Sequence, residues 1–233
     1  MTDDTSTFGP FKRVLAVAGV GLAAALSGCS LLEDTGGGDD STEVSDEQFE
    51  AAADAAEGDC LAPGFLDGTG DEFTVDCSDP TAMWTITAIT GDTDATAPGG
   101  TLADDQAVFD LCGEEVGALL PGQPLTDWNM IYDIATGAVD YLFCLEATGA
   151  PGEDGGVAAV PTTGECFASV DSEWSTLPCD SPSADSTVTG VVEFPAAEWA
   201  GPDVEAALTE CAGSSYYELI DQFERTTGLL CLE

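Results

Sequence analysis

The sequence predicts an α+β protein: two small disulfide-stabilised domains in tandem, set behind a signal peptide and a flexible acidic stalk. Three observations lead there. Eight cysteines fall into two sets of four with matching surroundings. Each set is threaded by alternating apolar and polar segments around one amphipathic helix. A leader that runs from basic to apolar to small residues precedes them all.

In the leader, residues 1–28, Lys12 and Arg13 form a short basic region. The apolar run Val14 to Leu26 follows directly. That run has signal-peptide length and falls short of the roughly 18–20 residues that cross a bilayer. Leu26-Ser27-Gly28-Cys29 then has the form of a bacterial lipobox, where signal peptidase II cuts and a diacylglycerol is attached to the cysteine. Cys29 is therefore the expected lipidation site and first mature residue. The expected address is the extracytoplasmic face of the cell membrane, reached through the lipid.

Residues 29–57 form the predicted stalk. Gly36-Gly37-Gly38 and ten acids with no basic residue after Cys29 bury too little apolar surface to offset chain entropy. Its second part, Ser45 to Glu57, is rich in Ala and Glu, and Ser45 suits an N-cap; a short spacer helix is expected there.

The first unit spans 58–147. Phe73 and Val75 alternate with polar residues toward Cys77, and Trp84, Ile86 and Ala88 alternate with Thr85 and Thr87, so two strands are expected. Thr101 and Asp104 resemble a capping box. Val108, Leu111, Cys112, Val116 and Leu119 share a helical face that ends at Pro121-Gly122. Trp128 to Tyr132 and Val139 to Leu145 read as a closing hairpin around Thr136-Gly137. Residues 148–163, rich in Gly, Pro and Ala, read as a linker.

The second unit spans 164–233. Trp174 to Cys179 and Thr187 to Phe194 are expected strands, Pro202 starts a helix carrying Val204, Leu208 and Cys211, and Gly228 to Leu232 closes the chain. The stations match in order. Gly58-Asp59-Cys60 is echoed by Gly164-Glu165-Cys166, and Asp76-Cys77-Ser78-Asp79-Pro80 by Cys179-Asp180-Ser181-Pro182. Leu111-Cys112-Gly113 is echoed by Glu210-Cys211-Ala212, and Phe143-Cys144-Leu145-Glu146 by Leu230-Cys231-Leu232-Glu233. Four matched stations in one order point to a tandem duplication.

An even cysteine number in an exported chain reads as a disulfide framework, and the absence of Cys-x-x-Cys pairs argues against zinc. Pairing is expected within each repeat: Cys60–Cys77, Cys112–Cys144, Cys166–Cys179 and Cys211–Cys231. Units of roughly 70–90 residues have marginal cores, so such cross-links help them.

Charge removes whole classes of function. The formal net charge is −42 with no histidine. Lys12, Arg13, Asp3 and Asp4 all leave with the leader, so Arg225 is the one basic side chain of the mature chain and the charge is unchanged. Binding to nucleic-acid phosphate or to anionic lipid heads is excluded for want of clustered Lys and Arg. Without histidine there is no Ser-His-Asp or Cys-His site, and without a mature lysine no Schiff base. No catalytic residue, metal ligand or cofactor is predicted. Trp199, beside Glu198 in a loop-like stretch, is the candidate for an exposed ligand surface.

The four cysteine stations resemble those of the septum-formation family of actinobacterial envelope proteins: Gly-Asp-Cys, Cys-Ser-x-Pro, a helix cysteine, and a closing strand ending Cys-Leu. Cys60, Cys77, Cys112 and Cys144 match in the first repeat, and Cys166, Cys179, Cys211 and Cys231 in the second. The chain departs from the family at Thr81 and Ser183, where histidine often follows the proline, and in lacking Gly-Asp-Arg before the last cysteine. The resemblance implies no known catalysis; the tether, the flexible stalk and the paired cross-linked domains point to a non-enzymatic, lipid-anchored interaction module of the cell envelope, linked to septum formation or wall assembly. Its partner would be an envelope protein or wall component. The alternative is an extracytoplasmic lipoprotein that binds a divalent cation or small solute, with Asp67, Asp71 and Glu72, or Asp92 and Asp94, as loop carboxylates.

Overall fold

The computed structural model describes residues 13–17, 41–43, 46–62, 72–152, 155–169, 174–211 and 215–233. The lipobox through Cys29, most of the expected stalk, Ser45, Asp67 and Asp71 lie outside them. The protein is α+β, with two antiparallel sheets and short helices.

The first half opens with α1 (Asp46–Asp54). It continues through β3 (Cys60–Leu61), β4 (Thr74–Val75) and β5 (Trp84–Thr90) to α2 (Gln106–Cys112). The hairpin β6 (Thr126–Asp133) and β7 (Val139–Ala147) closes it, turning at Gly137 with φ 72°. Two further strands, β1 (Arg13–Val17) and β2 (Ser41–Glu43), join the same sheet, giving the order β2-β1-β6-β7-β5-β3-β4. Residues 13–17 of the expected leader thus pair with β6, antiparallel from Arg13 opposite Asp133 to Val17 opposite Asn129. A mature chain beginning at Cys29 would lack β1 and leave β6 as an edge.

Alternation along β6 and β7 sends side chains to two covered faces. Ile131, Phe143 and Leu145 meet Ala52 of α1 together with Leu61, Phe73 and Ile86. Met130, Tyr132 and Leu142 meet Val108 of α2. That is why β6 is buried along most of its length. The expected spacer helix is therefore part of the core: Ala52 is fully buried, and Phe49 packs edge-to-face on Tyr141 with centroids 5.3 Å apart.

The second half repeats the plan with a shorter helix and a shorter closing hairpin. β8 (Cys166–Phe167) and β9 (Ser186–Glu193) precede α3 (Val204–Ala207), which runs on as a 3-10 turn to Cys211. β10 (Ser215–Ile220) and β11 (Thr226–Leu232) complete a sheet of order β10-β11-β9-β8.

All four expected disulfides form, Cys60–Cys77, Cys112–Cys144, Cys166–Cys179 and Cys211–Cys231. Two expected elements need correction and one strand is added. The helix of the first half ends at Cys112, because Gly113 (φ 88°) and Gly117 (φ 71°) take left-handed conformations; Val116 and Leu119 reach the core from turns instead. The strand expected over Trp174 to Cys179 shrinks to bridges at Thr176 and Leu177. β10 is an additional strand that the sequence reading did not foresee.

Candidate functional site

The cysteine motifs are backbone devices, and the two halves build the first of them bond for bond. Gly58 and Gly164 sit at φ 96° and 91°, a region that favours glycine. The N–H of Gly58 donates to Ile86 O and that of Gly164 to Val188 O, each at 2.8 Å. In return the N–H of Ile86 donates to Asp59 O (2.8 Å) and that of Val188 to Glu165 O (2.9 Å). The acid of each motif accepts the N–H three residues upstream, Ala56 to Asp59 at 2.9 Å and Thr162 to Glu165 at 2.8 Å. So Gly-acid-Cys is a turn that delivers a cysteine into the sheet.

In the second motif only the backbone bonds repeat, Asp79 N–H to Asp76 O and Ser181 N–H to Pro178 O, each at 2.8 Å; the carboxylate side-chain bonds belong to the first half. Asp76 accepts the N–H and hydroxyl of Ser78, both at 2.8 Å, which holds its carboxyl below the usual range. Asp79 accepts the hydroxyl and N–H of Thr81 at 2.7 and 2.9 Å, with the same consequence. Thr81, one of the departures from the family pattern, closes this turn.

The halves meet along a seam centred on Arg225. Its Nε donates to Asp221 Oδ2 at 2.6 Å, and Asp221 is buried. Its Nη1 and Nη2 cross to the first half and donate to the carbonyl oxygens of Glu114 (2.6 Å) and Val116 (2.8 Å). The guanidinium lies 4.9 Å from the Phe223 ring centroid, 5.1 Å from Trp199 and 5.3 Å from Phe109. Such a planar cation between aromatic faces, with each of its three nitrogens donating one bond, is a clamp rather than a free ligand site.

Two more contacts flank it. The buried hydroxyl of Thr227 lies 2.6 Å from Leu119 O and 3.2 Å from Leu219 O. Gln222 donates to Asp127 Oδ1 at 3.2 Å, and the Trp128 N–H donates to the same oxygen at 2.8 Å. Burial of the Asp127 carboxyl in the seam outweighs both bonds and pushes its pKa up to about 7.

The expected linker belongs to this seam. The Gly122 N–H donates to Val160 O (2.7 Å), and the Leu125 N–H to Ala158 O (3.1 Å). Val160 is fully buried with Leu119, Leu125, Ala147, Phe167, Leu219 and Leu230. The two repeats therefore pack against each other through a shared core.

Trp199 does not form a ligand surface. It is buried, its Nε1 donates to Phe194 O at 2.8 Å, and its ring lies beside Arg225. The loop-like stretch beside Glu198 is instead a 3-10 turn, Ala196–Glu198, that folds Trp199 inward. The exposed aromatics are elsewhere. Tyr217 on β10 packs edge-to-face on Trp174 (5.2 Å) and Phe167 (6.2 Å), and Tyr216 and Ile220 of the same strand are exposed.

Among the described residues no three or more Cys, Asp or Glu side chains converge on a point that would hold a metal ion. No helix among them is long and apolar enough to cross a membrane. No protein-family model, curated protein or solved structure matches the chain.

Proposed function

We propose that this chain is a lipid-anchored extracytoplasmic protein of the cell envelope that works as a non-enzymatic interaction module in septum formation or wall assembly. The observation that carries the reading is how its reactive and apolar groups are distributed. Eight cysteines are tied in disulfides and Arg225 is held in the seam, while exposed large apolar side chains gather on β10. A stapled body with its cation committed and an apolar strand on its surface suits recognition better than bond-making chemistry. The lipobox at Cys29 and the acidic segment after it support the tethered address.

Fractionation and imaging test the proposal together. The chain is expected in the membrane fraction, and Cys29→Ala is expected to release it. A C-terminal fusion with a tag that fluoresces outside the cytoplasm is expected to gather at division sites. A Cys29→Ala chain that stays fully membrane-bound would contradict the lipid anchor. A uniform envelope signal through the cell cycle would remove the division link.

A further inference from the structure

Outward N–H and C=O groups on the last strand of a sheet bond readily to any extended segment lying beside them. The two halves differ at this point. β6 and β10 hold the same place, each following the short helix and pairing with the closing strand. β6 carries β1 on its outer side across five residue pairs. β10, among the described residues, pairs with β11 alone.

β10 also lacks the features that usually blunt an edge. It has no proline, lysine or arginine, and its one irregularity lies at its end, between Leu219 and Ile220. Among the described residues it holds three of the four exposed large apolar side chains, Tyr216 (42%), Tyr217 (36%) and Ile220 (51%). Glu218 is its only charge.

We propose that β10 is a strand-addition site, taking an extended basic and apolar segment of a partner chain in antiparallel pairing. Three features choose this occupant. β1, with the sequence Arg-Val-Leu-Ala-Val, is a segment of that kind on the equivalent edge. A formal charge of −42 opposes pairing with a second copy and favours Lys and Arg in the partner. Tyr216 and Glu218 lie on one face with Ile220 exposed near them, so a basic side chain flanked by apolar ones complements the strand. The inference deepens the reading above by giving the partner's chemistry. Its test is made on purified protein, so it fails or holds independently of where the protein sits in the cell.

The test is titration of the full chain, disulfides formed, with a fluorescently labelled synthetic peptide of residues 10–20. The titration uses the chain from Met1, in which β1 occupies the β6 edge and the peptide reports on β10; a chain beginning at Cys29 would offer the β6 edge as well. Saturable binding in roughly the micromolar range is expected. It should weaken by on the order of tenfold when Glu replaces the peptide's Lys12 and Arg13, and fall as salt rises from about 0.1 M to about 0.5 M. Tyr216→Lys with Ile220→Lys in the chain should weaken it similarly, and amide exchange should slow over Ser215 to Ile220. Tyr216→Ala with Ile220→Ala is the second variant, read if the lysine pair lowers the melting temperature. No saturation by about 1 mM, equal affinity for the variants that fold, protection confined to other strands, or dimerisation of the chain through β10 would each overturn the proposal.

Discussion

The two halves carry the same turns and disulfides, yet they cover their sheets differently. In the first, Ile86, Phe143 and Leu145 are roofed by α1, an element of that half's own approach segment. In the second, the corresponding Val188, Leu230 and Leu232 are roofed by Leu119, Leu125 and Ala147 of the first half and by Val160 of the linker. The first half brings its own lid; the second borrows one. A short helix, two-residue β8 and a borrowed roof leave little core that is its own, which is the regime where neighbours and cross-links decide stability. The lesson is that the two repeats share one frame of turns and disulfides, while the second draws its roof from its neighbour.

Removing the clamp should break this arrangement most. Arg225→Ala leaves the buried Asp221 without its cation and the Glu114 and Val116 carbonyls without donors. A loss of about 3–5 kcal/mol is expected. Arg225→Lys should restore only part of it, since a single ammonium cannot reproduce the planar fork. Denaturant unfolding measures both, and hydrogen exchange should show the second half opening first.

Disulfide removal sharpens the contrast. Cys211→Ser with Cys231→Ser should cost about 2–4 kcal/mol and release the second half while the first keeps its protection. Cys112→Ser with Cys144→Ser opens a longer loop, 32 residues against 20, yet α1 should leave more residual protection in its half.

Asp127 makes the seam sensitive to pH. Its folded pKa of about 7 stands above the unfolded value of 3.8, so the folded state holds the proton more tightly. The resulting stability is fully present below about pH 4 and is lost as pH rises through 7. Asp127→Asn should flatten that slope and raise the melting temperature at pH 8, by on the order of 1–3 kcal/mol in stability, with little change at pH 4. The smallest effect is local. Asp59→Ala and Glu165→Ala each remove one side-chain bond to a backbone N–H, for about 0.5–1.5 kcal/mol. Equal losses would show the shared frame acting alike in both halves.

The cysteine stations were legible because each repeat annotates the other: a pairing that suits one set must suit both. The strands of β5, β7 and β11 were legible from alternation or apolar runs. Other features were hidden for identifiable reasons. The apolar spacing of Val116 and Leu119 continues the helix period, while Gly113 and Gly117 stop the helix before them. In β10, adjacent Tyr216 and Tyr217 blur the alternation that marks a strand, since one faces Trp174 and the other solvent. Arg225 stands out in the sequence only as the one basic residue after Arg13. The signal was Asp221 four residues before it, but the carbonyls it clamps lie more than a hundred residues upstream. Trp199 was misread because sequence alone did not reveal that this cation would sit against it.

The borrowed roof is tested most directly by producing residues 46–147 and 148–233 separately, with their disulfides formed, and following thermal unfolding of each beside the full chain. Cooperative unfolding is predicted for the first fragment and for the full chain, with no cooperative transition in the second. A second fragment that melts cooperatively on its own, near the temperature of the full chain, would contradict the account.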